Sequence, residues 1–148
     1  MPRWLSSASG VVDVAYIALG SNLGDRHGYL AAARQALASL PSSRILACTT
    51  IEETEPLGPT TQGTYLSQMV ALETELAPLN LLSELHRIER DAGRERRERW
   101  GARTLDLDIV LFARQRVSQA GLTVPHPELP NRDFWQRELA ELGVEVRA

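Results

Sequence analysis

The sequence predicts an α+β fold in the ferredoxin-like order β-α-β-β-α-β, with an antiparallel sheet and the helices on one face. Three observations predict it. Four segments have strand-like composition or alternation, at 11–19, 44–53, 65–76 and 105–112. Two segments between them carry apolar residues at helical spacing instead. Gly, Pro, Ser and Asp cluster at most of the boundaries. Right-handed crossovers then bring both helices to the same side of the sheet.

Each element has its own reason. Val11 to Leu19 is rich in β-branched residues, and Gly20 to Asp25 is turn chemistry. Asp25 suits the N-cap of a helix whose stripe is Leu30, Ala33, Leu37 and Leu40. Pro41-Ser42-Ser43 ends that helix, and Arg44 to Glu53 reads as the second strand. A Pro/Gly loop follows from Thr54 to Thr64. In the third strand, Tyr65 to Leu76, Leu66, Gln68, Val70 and Leu72 oppose Ser67, Met69, Ala71 and Glu73. Pro78 suits the first turn of the second helix; Leu81, Leu82, Leu85 and Ile88 form its stripe, and Gly93 ends it. Beyond Leu105 to Phe112 the pattern gives a short hairpin, Val117 to Val124, then a brief helix near Trp135 to Leu142.

A chain of 148 residues and 16.4 kDa is most simply one domain. Residues 1–10 read as a loose extension and 11–148 as the domain. The composition, 43% hydrophobic and 24% charged, is that of a water-soluble globular protein. No stretch reaches the length of a membrane span, and residues 1–10 do not make a signal peptide. The lone Cys48 fits a reducing cytoplasm. The net charge of -3 argues against a general nucleic-acid binder. All sixteen basic residues are Arg, so arginine forks are the only fixed cations for gripping phosphate.

The segment with most chemistry runs from Arg99 to Ile109 and contains Asp106 and Asp108 in a strand. They share one face, while Leu105, Leu107, Ile109 and Leu111 take the other. Adjacent like charges are costly unless a cation sits between them, and a divalent ion such as Mg²⁺ suits carboxylate plus phosphate oxygens. Arg94, Arg96, Arg99 and Arg103 lie in the Gly-punctuated loop feeding the aspartates. Isolated Asp-x-Asp pairs and charged runs are commonly just solvated surface, so the flanks carry the weight here. His126 stands between Pro125 and Pro127, followed by Arg132 and Phe134, and is a plausible phosphate contact. Thr54 to Gly58 form the start of a long loop ending at Tyr65, whose ring could stack on a planar ligand or simply pack in the core.

Together these residues resemble the 6-hydroxymethyl-7,8-dihydropterin pyrophosphokinases of folate synthesis. The likeness spans about Val14 to Leu139. It rests on Ala15-Tyr16-Ile17-Ala18-Leu19-Gly20-Ser21-Asn22-Leu23-Gly24, Pro56-Leu57-Gly58-Pro59, Val70 to Thr74, Ile88-Glu89 with Gly93-Arg94, Arg99 to Ile109, and Val124-Pro125-His126-Pro127 through Phe134. It implies attack of the pterin hydroxymethyl oxygen on the β-phosphorus of ATP, with AMP leaving. Asp106 and Asp108 would hold two Mg²⁺ ions. Arg94, Arg96, Arg99, Trp100, Arg103, Ile109, His126 and Arg132 would bind the nucleotide, Arg94 and Arg103 also serving catalysis. Tyr65 and Phe134 would sandwich the pterin, with Thr54, Pro56, Leu57, Ser67 and Trp100 completing its site. The resemblance also implies a monomer. Ser67 stands where members usually carry Asn, whose amide donates and accepts at once. One lost hydrogen bond costs roughly 0.5–1.5 kcal/mol, and an unsatisfied buried partner about 1–3 kcal/mol.

Two other classes are weighed against this one. Ser67 motivates a paralogue with altered or lost pterin specificity, acting as a nucleotide- or pterin-binding protein. The arginine run motivates an RNA-binding module, but the aromatic-rich strand motif of such modules is missing.

Overall fold

The computed structural model describes residues 8–55, 64–93 and 104–145. It is a mixed protein with an antiparallel sheet and three α-helices. In chain order the elements are β1 (Ala8–Ser21), α1 (Arg26–Ala38), β2 (Ser43–Cys48), β3 (Glu52–Thr54), β4 (Tyr65–Leu76), α2 (Pro78–Asp91), β5 (Asp106–Phe112), β6 (Val117–Gln119), β7 (Leu122–Val124) and α3 (Asp133–Glu141), with a 3-10 turn at Leu129–Asn131. The main sheet runs β2-β4-β1-β5, with β3 pairing beside β4; β6 and β7 form a separate hairpin. The first strand begins at Ala8, ahead of the anticipated Val11.

Two cores lie on opposite faces of the sheet. Ala15, Ile17 and Leu19 of β1 and Leu66, Val70 and Leu72 of β4 pack with Leu30, Ala33 and Leu37 of α1 and Leu81, Leu85 and Ile88 of α2. The second core joins Ala18, Met69 and Val110 to Leu129, Trp135 and Leu139. α3 therefore departs from the expectation that the helices share one face. Its stripe at 135, 139 and 142 needs cover, and the small Ala18 and slim Met69 leave room for a helix there.

Local chemistry explains the ends. Asp25 accepts a hydrogen bond from the Gly28 N–H at 3.1 Å, capping α1. Gly93 follows α2 with φ of 79°, a left-handed conformation that glycine adopts without a Cβ penalty. The single strand anticipated over 44–53 is broken in two. Thr49 Oγ1 accepts the Met69 N–H at 2.9 Å where a ladder carbonyl would otherwise serve. The pairing slips by one residue between Cys48–Val70 and Glu52–Ser67. Gln68 faces α1, as its strand parity predicts, with Arg34 donating to its Oε1 at 2.8 Å.

One further correction concerns β5. Leu105, Leu107 and Ile109 enter the first core as anticipated, but Leu111 packs with the second. The register shifts between Ile17–Ile109 and Tyr16–Leu111, so Val110 is an extra residue and the facing pattern inverts beyond it.

Candidate active site

The site is built on the row of residues that Gly20 joins. Gly20 pairs with Asp106 of β5 on one side and Ser67 of β4 on the other. Directly paired residues share a face, so both side chains project toward the α3 side. Gly20 adds none, and the Tyr65 ring rests above it: a Cβ there would meet Tyr65 Cδ1 at 3.5 Å. The floor thus carries a carboxylate at one end and an aromatic ring at the other.

Asp106 and Asp108 are both half-buried. A cavity of about 520 Å³ opens beside them, lined also by His86 and Glu89 of α2 and by Thr123 and His126. Glu89 is 4% exposed, and its Oε2 accepts the Leu107 N–H at 2.8 Å. This carboxylate satisfies an amide on the edge strand and pins the backbone between the two aspartates.

His126 is held from three sides. Its own N–H donates to the Val110 carbonyl at 2.9 Å. Its Nδ1 accepts the Glu128 N–H at 3.0 Å, which leaves the ring hydrogen on Nε2. Nε2 lies 3.7 Å from Asp108 Oδ1, at the mouth of the cavity. The ring packs edge-on to Trp135, with centroids 4.9 Å apart. The Arg132 guanidinium lies 4.3 Å above the same indole, and its Nε is buried without a hydrogen-bond partner among the described residues. Trp135 therefore orients two of the side chains that the sequence proposed for the nucleotide, His126 and Arg132.

At the other end, Tyr65 and Phe134 are half-buried, and Phe134 packs on Trp135 with centroids 6.1 Å apart. Thr54 is buried and pairs with Tyr65. Arg26 donates to the Thr64 carbonyl at 3.0 Å, and Thr64 Oγ1 donates to Glu53 at 2.8 Å, which fixes the entry to β4. Ser67 is not a vacancy where an amide is missing. Its Oγ donates to Glu138 Oε2 at 2.9 Å. Burial, and the nearby Glu52 carboxylate, push the Glu138 carboxyl up to about 8, against the pull of the Ser67 hydrogen bond.

Ile109 lines the same cavity, although its side chain belongs to the first core. Pro56, Leu57, Arg94, Arg96, Arg99, Trp100 and Arg103 lie outside the described residues. Among the described residues, no three His, Cys, Asp or Glu groups gather to hold a metal alone. Two aspartates offer hard oxygen ligands of the kind Mg²⁺ takes, with waters and phosphate oxygens completing its shell.

Sequence reasoning missed Trp135, Glu138 and Glu89 as site residues. Glu89 and Glu138 both carried a signal. Each occupies a position on the buried stripe of an amphipathic helix, where an acid needs a specific partner.

An aspartate pair on a strand beside a cavity of about 520 Å³, with half-buried Tyr65 and Phe134 further along, suits a kinase-type transferase. The family model of 7,8-dihydro-6-hydroxymethylpterin-pyrophosphokinase matches residues 16–144. The chain is 45% identical over 132 residues to a 2-amino-4-hydroxy-6-hydroxymethyldihydropteridine pyrophosphokinase of Haemophilus influenzae, covering 89% of this chain and 82% of that one. It is 42% identical to the enzyme of that name from Pseudomonas aeruginosa, over 93% and 85% of the two chains. The Bacillus subtilis counterpart is 44% identical, over 90% and 80%. The chain belongs to the 7,8-dihydro-6-hydroxymethylpterin-pyrophosphokinase family.

Proposed function

We propose that this chain transfers the pyrophosphoryl group of ATP to the hydroxymethyl group of 6-hydroxymethyl-7,8-dihydropterin, in folate biosynthesis. The hydroxymethyl oxygen bonds to the β-phosphorus and loses its proton. The bond from that phosphorus to the α–β bridging oxygen breaks, and AMP leaves with the electron pair. The observation that carries this reading is the Asp106–Gly20–Ser67 row, which joins a carboxylate end to an aromatic end on one face.

The roles divide along that row. Asp106 and Asp108 would hold two Mg²⁺ ions, which would supply neutralisation of the charge developing on the phosphates. His126 offers Nε2–H and Arg132 its guanidinium to the triphosphate, with Arg94, Arg96, Arg99 and Arg103 as further nucleotide contacts. Tyr65 and Phe134 stack on the pterin; Thr54, Pro56, Leu57 and Trp100 surround it. Ile109 contributes its place beside the aspartates. Positioning and charge neutralisation are most of what phosphoryl transfer requires.

The strand order β2-β4-β1-β5, with α1 and α2 feeding one core, supports a ferredoxin-like arrangement within one domain over 11–148. The partners in this reading are the two small molecules, with no nucleic acid and no membrane, and the chain acts as a cytoplasmic monomer. No described helix is long and apolar enough to cross a membrane. The test is AMP formation from ATP, Mg²⁺ and the hydroxymethyldihydropterin. Folded protein that yields no AMP overturns the reading.

A further inference from the structure

Strand alternation puts Tyr65 and Ser67 on one face of β4, and helical periodicity puts Phe134 and Glu138 one turn apart on one side of α3. The aromatic pair therefore has a polar pair immediately behind it, bridged by the 2.9 Å bond from Ser67 Oγ to Glu138 Oε2. Glu138 is only 2% exposed, and among the described residues its buried Oε1 meets no donor besides the proton it shares with the Glu52 carboxylate.

The charged groups around it explain that shared proton. Glu52 of β3 stands opposite Ser67 and is bonded to Arg137 of α3 at 3.3 Å. Two carboxylates side by side share the space only if one carries a proton, and burial keeps that proton on Glu138 near neutral pH. A buried carboxyl whose second oxygen is held only by a shared proton can exchange that proton for better donors, and its place behind Tyr65 and Phe134 points to which donors those are. The amino-pyrimidinone edge of a pterin presents N3–H and a 2-amino N–H side by side. A carboxylate accepts both at once, as it does from an arginine fork.

We propose that Glu138 is a specificity-determining residue, its carboxylate receiving the amino-pyrimidinone edge of the ring held between Tyr65 and Phe134, with Ser67 as the positioning residue that aims it. This rests on the pterin-substrate reading above. The carboxylate takes the place of the amide that the family resemblance leads one to look for at position 67. Once ionised it offers two acceptors and no donor, so above pH 8 it rejects a ring whose 2-amino group is replaced by a carbonyl, a ring that the protonated carboxyl serves with its O–H. Binding draws the shared proton off Glu138 to solvent.

The experiment compares 6-hydroxymethyl-7,8-dihydropterin with its 2-oxo counterpart, 6-hydroxymethyl-7,8-dihydrolumazine, in binding and turnover by the full chain with ATP and Mg²⁺. At pH 9, with Glu138 ionised, the natural chain prefers the pterin by at least about tenfold. Glu138→Gln raises the pterin KM by on the order of tenfold, leaves the ATP KM unchanged and narrows the preference for the 2-amino ring. Ser67→Ala raises the pterin KM less. A folded Glu138→Gln protein with unaltered preference overturns the proposal. If that variant does not fold, titration calorimetry of the natural chain at pH 7, in buffers of different ionisation heat, decides instead. Proton release on pterin binding is expected, and its absence overturns the assignment. A natural chain that neither binds pterin nor forms AMP sinks the substrate reading itself, a result distinct from either.

Discussion

The Arg132 guanidinium lies 4.3 Å over the indole of Trp135, while His126 meets the same ring edge-on. One buried side chain, 2% exposed, thus sets the direction of two groups from the segment that follows the hairpin. A cation over an aromatic face is worth about 0.5–2 kcal/mol, more where water is excluded. The indole also fills the second core against Met69, Val110 and Leu139.

Truncating this platform separates its two roles. Trp135→Ala is expected to destabilise the fold by about 3–5 kcal/mol, the usual cost of emptying a large aromatic site. Trp135→Phe retains most of the packing but presents a weaker face to Arg132. Its expected effect is a several-fold rise in the ATP KM with little change in the pterin KM. Urea denaturation and steady-state kinetics check the two halves of this prediction.

Removing either carboxylate of the strand pair is expected to stop turnover. Asp106→Ala and Asp108→Ala each lose an oxygen ligand for Mg²⁺, yet both positions are half-exposed, so stability should move by less than about 1 kcal/mol. Circular dichroism should match the natural chain while AMP release falls to background. Retained turnover in either variant would contradict metal bridging.

The parts legible in sequence were those governed by local periodicity. The stripes at 30, 33, 37 and at 81, 85, 88 depend only on helical spacing, and they reach the core as read. The 65–76 strand and its parity follow from alternation, which placed Gln68 opposite Ser67. What could not be read were substitutions of one hydrogen-bonding group for another across long separations. Nothing near Thr49 says that its hydroxyl will meet Met69, yet that bond splits a strand. Nothing near Ser67 says that Glu138, 71 residues on, will answer its hydroxyl. The extra residue at Val110 is equally silent, since a bulge inverts the pattern only for the last positions of a short strand.

The Glu89–Leu107 bond gives a stability prediction near the site. Glu89→Leu strands a buried edge-strand amide and is expected to cost about 1–3 kcal/mol. Glu89→Gln keeps a carbonyl acceptor at the same reach and should cost less than half as much. Amide hydrogen exchange at Leu107 is the local readout: faster exchange in the Leu variant than in the Gln variant is expected. Equal protection would mean the backbone there is held by its strand pairing alone.

Glu138 makes stability depend on pH with a definite sign. Its carboxyl sits at about 8 in the folded protein against an ordinary value of 4.5. The folded state therefore holds a proton that the unfolded chain has given up throughout that interval. Stability is highest below the ordinary value and falls as pH rises through the interval toward 8, with a slope of up to about 1.4 kcal/mol per pH unit from this group. Above 8 the group is ionised in both states, and its share of the slope vanishes. Glu138→Gln removes the titration and should flatten the profile between pH 5 and 8. Ser67→Ala removes a bond that favours the charged form, so it should extend the falling limb to higher pH. Urea midpoints at unit pH steps measure all three curves, and an unaltered slope in Glu138→Gln would assign the dependence to other groups.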